Sequence, residues 1–269
     1  TMTGDRLVLC VFLVATACSR DARLCTEDPS SELRFRVDSI GMIGSETELL
    51  VESGHALLVV SPSCDFFVKT TSFGDVTQGR FTEEQAAELA ANLRLVDWPG
   101  GEGRYQTNLC DGPVETYRFD TSRLVVGSFC HGINTAEGVA WLRSSVRSQL
   151  APVAALGTRL RSPIKYVVVR NEQGIDASLP EYRNPQPWPL TSRLSELALP
   201  PGSSTAGAGR LADGADADEL DALQTLYRDG VTGDPWSHFV PVEDPTGMYR
   251  LYLRSVLPFE DADGTWKAF

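Results

Sequence analysis

Lysine is almost missing from this chain of 269 residues; it occurs only at Lys69, Lys165 and Lys267. Histidine is equally scarce, confined to His55, His131 and His238. The formal net charge is −12, so the clustered cations that displace phosphate counterions have no obvious source, and a nucleic-acid partner is excluded. The same acidity disfavours attachment of the body to anionic lipid. There is no C-x-x-C pair and no histidine cluster near cysteine, which removes the usual zinc sites. No G-x-S-x-G elbow is present, which argues against a serine hydrolase. The longest apolar run falls short of the ~18 residues that a membrane-spanning helix requires. Arginine, by contrast, accounts for 21 of the 24 basic residues. These arginines are spread along the chain, so they read as the codon usage of a GC-rich genome and not as a cationic patch.

What is present begins with a short leader. Met2 reads as the initiator, with Thr1 upstream of it; Arg6 follows, then the apolar stretch 7–17. As a helix this stretch rises only about 16 Å, against a hydrocarbon core of roughly 30 Å, so it has the length of a signal h-region. Ala15-Thr16-Ala17 supplies the small residues that a signal peptidase accepts, and Cys18 stands directly after them. The segment Ala15-Thr16-Ala17-Cys18 resembles the lipobox of bacterial lipoproteins, with Ala15 where leucine is usual and Asp5 offsetting Arg6. The resemblance covers about the first eighteen residues. It implies lipidation of Cys18, a membrane anchor through that lipid, and, from Ser19, sorting to the outer membrane. The location expected is the cell envelope, facing the periplasm or exposed at the surface, and the macromolecular partner expected is another envelope protein.

Six cysteines agree with export. Cys10 would leave with the leader and Cys18 would carry lipid. Cys25, Cys64, Cys110 and Cys130 remain, an even number suited to an oxidising compartment. Three pairings are open to them. The favoured one joins Cys110 to Cys130, which flank an expected strand pair, and Cys25 to Cys64. The neighbouring Cys130 and His131 also allow a reactive thiol, but a disulfide is the simpler reading.

The body reads as α+β, with antiparallel sheets each packed against one or two helices. The expected divisions are a signal peptide (1–17), a lipid-anchored tether (18–31), a disulfide-bearing α+β domain (32–160) and a second, smaller α+β domain (161–269). Leu33, Phe35 and Val37 alternate with Arg34, Arg36 and Asp38, the period of a strand over 33–40. Further strands are expected over 48–52, 56–61, 66–71, 115–120 and 123–129. Thr82 with Gln85 forms a capping box that opens a helix running to about Leu95. A second helix is expected over 136–150, with Val139, Leu142, Val146 and Leu150 on one face.

From Arg161 the pattern restarts. An apolar run occupies 166–169, and a proline-rich stretch follows over 182–190. A flexible segment over 200–209 leads to a helix over 217–227 and strands over 249–257. Gly79-Arg80-Phe81 aligns with Gly209-Arg210-Leu211, and Tyr117-Arg118-Phe119 aligns with Tyr249-Arg250-Leu251. The body is therefore either two degenerate copies of one module or two α+β segments aligned by a few shared dipeptides. In the order of its elements, residues 35–126 resemble the emfourin-like bacterial proteins, a sheet-and-helix family that includes metallopeptidase inhibitors. No inhibitory residue carries over, because the likeness is one of order alone.

No catalytic residue, cofactor or metal ligand is assigned. The three histidines read as turn or surface residues. Gly100-Gly101-Glu102-Gly103 reads as a loop, because it lacks the flanking elements and lysine of a phosphate cradle. Asp213, Asp216, Asp218, Glu219 and Asp221 offer oxygens for calcium, but their spacing does not suit an EF-hand, and acids in a first helical turn also stabilise its dipole. Asp261-Ala262-Asp263-Gly264 reads as a turn. Trp98, Trp188, Trp236 and Trp266 lie beside Pro, Gly or chain ends, where they either form a binding face or plug sheet edges. The function expected is a non-enzymatic binding or structural role in the envelope. The alternatives are a surface module resembling a peptidase inhibitor and a hydrolase built on carboxylates not yet identified.

Overall fold

The computed structural model describes residues 22–26, 34–40, 56–69, 76–106, 114–127, 139–170, 185–199, 209–230 and 239–260. It is an α+β structure with two open sheets, mostly antiparallel. Side-chain alternation builds the first sheet. On β1 (Phe35–Ile40) Phe35 and Val37 point into the main core, and Arg36 lies on the opposite face. β2 (Ala56–Val60), β3 (Asp65–Lys69) and β4 (Val76–Arg80) continue from β1 as antiparallel neighbours. On its other side β1 pairs with β6 (Val114–Phe119), which turns at Asp120 into β7 (Ser122–Gly127). Asp120 takes φ of 53°, a left-handed conformation that a short polar side chain tolerates in a hairpin turn.

β5 (Glu102–Gln106) lies outside β7 and runs parallel to it, a strand where a loop was expected over 100–103. Gly101, with φ of 80°, makes the bend into it. The local residues are poor strand formers, so the strand exists because β7 supplies a partner. β8 (Thr158–Arg159) pairs with β4 and completes the order β5-β7-β6-β1-β2-β3-β4-β8.

Two helices cover the inner face. α1 (Glu83–Asn92) begins at the expected capping box: the Thr82 hydroxyl accepts from the Gln85 amide at 3.2 Å, and the Gln85 side chain accepts from the Thr82 amide at 2.9 Å. Ala86 and Leu89 face the sheet. α2 (Ala140–Ala154) buries Leu142, Val146 and Val153, and Val139 is buried just ahead of it. It passes through Pro152 and ends four residues beyond the expected stop at Leu150. Burial of Val153 outweighs the lost backbone bond at this last turn. Trp98 sits within the same core, edge-on to Phe35 at 5.6 Å and to Phe119 at 5.9 Å. It is a plug.

The chain passes to the second sheet between Arg159 and Ile164. β9 (Ile164–Arg170) pairs with β11 (Arg210–Ala212) on one side and with β13 (Gly247–Ser255) on the other. β12 (Val240–Asp244) pairs with β13, and the two-residue β10 (Gln186–Pro187) runs parallel to β12 at the edge. The short α3 (Leu194–Leu197) and the long α4 (Gly214–Gly230) close this core with Leu194, Leu197, Leu220 and Leu223. Leu226, on the same helix, is exposed.

The two sheets share a column pattern. Each has a strand carrying the Tyr-Arg motif beside its first strand, then an antiparallel neighbour, then a parallel edge strand. The order of travel differs. In the first sheet the Tyr117 strand opens its hairpin, and in the second the Tyr249 strand closes it. Simple duplication would preserve that order, so the two sheets are not copies of one chain path.

The halves meet on the outer face of the first sheet. Leu160 and Leu257 pack there with Ala56, Val59, Phe67 and Val76, and Phe259 meets Phe67 edge-on at 5.5 Å. Arg159 bridges to Asp221 on α4 at 2.7 Å. The strand expected over 48–52 and most of the segment expected over 200–209 lie outside the described residues.

Candidate binding face

The expected disulfide between Cys25 and Cys64 is present, with Cα atoms 5.1 Å apart. It fastens the segment 22–26 to the β2–β3 turn. Leu24 is buried in the main core, the Thr26 amide donates to the Pro62 carbonyl at 2.9 Å, and Arg34 donates to the Arg23 carbonyl at 2.9 Å. The tether expected over 18–31 is thus docked on the body over 22–26. Cys18, Cys110, Cys130 and all three histidines lie outside the described residues, as do Trp236, Trp266 and 261–264. The acidic run from Asp213 enters α4 and does not curl into a loop, and Asp221 is the partner of Arg159. Trp188 packs against Tyr166 and donates to the Ser192 carbonyl at 2.7 Å. Among the described residues no helix is long and apolar enough to cross a membrane.

Among the described residues, the glutamates Glu115 and Glu260 are buried. Glu115 on β6 accepts from Arg147 at 2.7 Å, lies 3.3 Å from Arg143, and takes the Tyr117 hydroxyl, so it clamps α2 to the sheet. Burial, then the charge of Glu115, pushes the Tyr117 phenol far above its ordinary range. Glu260 accepts from Arg254 and from the Leu257 amide, both at 2.7 Å, and so pins the C-terminal turn. These carboxylates are held by arginines, and their geometry is that of clamps.

The outer face of the first sheet holds the feature that sequence reasoning missed. Strand register sets Arg36 opposite Arg118, Arg118 opposite Arg123, and Arg123 opposite Glu102. Three arginines therefore stand side by side on β1, β6 and β7, and at ~4.8 Å between strands the row spans roughly 10 Å. In the next row along the strands, Asp38, Thr116, Val125 and Arg104 are aligned in the same order.

Among the described residues these two rows hold four arginines and two carboxylates, in a chain whose net charge is −12. Asp38 takes two contacts from Arg36, at 2.6 and 2.7 Å, while burial raises its carboxyl against that pull. Burial lowers the Arg118 guanidinium from its ordinary value, and the like charges of Arg36 and Arg123 lower it further, with Asp38 and Glu102 opposing. A cavity of about 630 Å³ opens over this face, bounded by Glu102, Arg104, Thr116, Arg123 and two valines, Val114 and Val125. Arg104 and Arg123 are exposed. The expectation that the arginines are scattered is corrected here: they are distant along the chain and adjacent in the sheet. The available signal was strand alternation, which sends Arg36 and Arg118 to the side opposite Phe35 and Phe119.

Comparison of the chain with protein-family models, curated proteins and solved structures finds no match.

Proposed function

We propose that this chain is an exported, lipid-anchored protein of the cell envelope whose role is binding or structural rather than catalytic. The Cys25–Cys64 disulfide carries this reading, because such bonds persist in oxidising compartments. It also lies only seven positions after Cys18, in the part of the chain that would follow a lipidated amino terminus. From Cys18 to Ala22 an extended chain reaches at most about 14 Å, so the clasp would hold the body close to the membrane. The arginine-clamped Glu115 and Glu260 support structural use of the buried carboxylates.

The test is the intact mass of the protein expressed in a bacterial host, with and without reduction before thiol alkylation. The expected species begins at Cys18, carries acyl mass, and labels at Cys25, Cys64, Cys110 and Cys130 only after reduction. An unprocessed chain whose thiols label freely would overturn both export and anchoring.

A further inference from the structure

The geometry points to the Cys25–Cys64 bond as an exchangeable clasp, a site where a low-molecular-weight thiol enters the adjoining cavity and opens the disulfide. The backbone at Cys64 is the first observation. With φ of 69° it occupies the left-handed region, at a place in the β2–β3 turn where glycine would carry no steric cost. Strain of this kind persists where the side chain has a task and the surroundings enforce the geometry. Here the turn is enforced without the sulfur. The Cys64 amide donates to the Ser61 carbonyl at 3.1 Å, and the Phe81 amide donates to the Cys64 carbonyl at 3.0 Å. The Asp65 amide donates to the Ser61 hydroxyl at 3.0 Å. Cys64 is therefore the fixed jaw of the clasp.

Cys25 is the movable jaw. Residues 22–26 belong to neither sheet, and they dock through the buried Leu24 and local hydrogen bonds. Both cysteines are half-buried, and both line a cavity of about 380 Å³ together with Leu24, Pro62, Ala86 and Ala87. That volume lies within the ~300–1,000 Å³ of small-molecule pockets. A thiolate needs such access to reach a disulfide sulfur.

The entering thiolate bonds to one cysteine sulfur as the S–S bond breaks, and the other cysteine leaves as a thiolate that takes a proton from water. A second thiolate then attacks the small-molecule sulfur of the mixed disulfide and releases the first cysteine. Two small thiols are oxidised to one disulfide, and the protein pair is reduced to two thiols. The segment then depends on Leu24 and its hydrogen bonds, so it opens locally more often. Neither export nor the lipid on Cys18 is needed for this chemistry, so an inert bond would leave the proposed function standing.

The experiment treats the whole oxidised chain with reduced glutathione under native conditions, alkylates the free thiols and weighs the peptides. The expected result is glutathione on Cys25 or Cys64, followed by two alkylated thiols, at a rate within about tenfold of that in urea. Trypsin supplies the structural readout. With the clasp shut, Arg34 holds the Arg23 carbonyl and Leu24 is buried, so the Arg23–Leu24 peptide bond is protected. Glutathione is expected to speed its cleavage about tenfold or more. Ala87→Trp, at an exposed position on α1, fills the cavity without touching the disulfide. It is expected to slow exchange about tenfold or more in the folded protein and to leave the reaction in urea unchanged. The double variant C25S/C64S is expected to be cut at Arg23 as fast as the exchanged parent, with or without glutathione. The proposal is overturned if the Cys25–Cys64 bond is absent from the oxidised chain, or if it reacts in urea but not in the folded protein. Exchange in Ala87→Trp at the rate of the parent, or exchange that leaves cleavage at Arg23 unchanged, would overturn it equally.

Discussion

One row of residues crosses the outer face of the first sheet and changes character midway. From the edge inwards it reads Glu102, Arg123, Arg118 and Arg36; beyond β1 it continues as Val59, Phe67 and Gln78. Apart from the parallel edge strand β5, the backbone is the same antiparallel ladder on both sides of that change. What differs is the cover. The half carrying Val59 and Phe67 lies beneath Leu160, Leu257 and Phe259, whereas the half carrying Arg118 and Arg123 borders an open cavity. A sheet face thus takes either an apolar lid or a charged surface, and on this sheet the charged half grades from the buried Arg36 to the exposed Arg123.

Removing the lid is expected to have the largest effect. Glu260→Ala leaves the Arg254 charge buried without its carboxylate, at a cost of about 3–5 kcal/mol. Urea unfolding measures the loss, and a variant within ~1 kcal/mol of the parent would show that the C-terminal turn does not hold the lid. Phe67→Ala should cost about 3 kcal/mol in the same assay, since it empties the ring contact with Phe259 beneath that lid. On the arginine half the effect is expected to be small. Arg123→Gln removes a like-charged rung with Arg118 and an opposite-charged rung with Glu102. Urea unfolding should place it within about 1 kcal/mol of the parent, with a difference that shrinks with added salt.

The smallest effect concerns Asp65, at the rim of the covered half. Burial raises its carboxyl, but hydrogen bonds from Arg80 and Ser63 outweigh this and hold it below its ordinary value near ~3.9. The folded state therefore favours the charged form. The contribution is present above that ordinary value and is lost as pH falls through the lowered one. Asp65→Asn should lower the melting temperature slightly at neutral pH, and the difference from the parent should vanish in strong acid. A difference that grows in acid would contradict the assignment.

Much of the fold was legible because it rests on local signals. The Thr82–Gln85 box set the start of α1, the alternation around Phe35 set β1 and its inward face, and a strand pair was expected where β6 and β7 stand. The strands β4, β5, β11 and β12 were not legible. Val-Thr-Gln-Gly-Arg and Glu-Gly-Arg-Tyr-Gln have no strong strand preference, and become strands only against their partners, β4 against the preceding β3 and β5 against β7. The Cys25–Cys64 pair was among the three pairings that spacing allows. Its choice depends on Leu24 entering the core and bringing Cys25 to the β2–β3 turn. The arginine row was read as scattered arginine for the same reason: Arg36 and Arg118 are rung partners although 82 positions apart.

By itself, then, the sequence determined the α+β class, the capped first helix, and which side chains of β1 face the core. These follow from interactions within a few residues, where periodicity and capping chemistry act. The tertiary structure alone decided that the outer face has two characters, because strand register and the position of the C-terminal turn are set by contacts across the whole chain. Three arginines became one row, and Phe67 gained a lid, through pairings that no local stretch encodes.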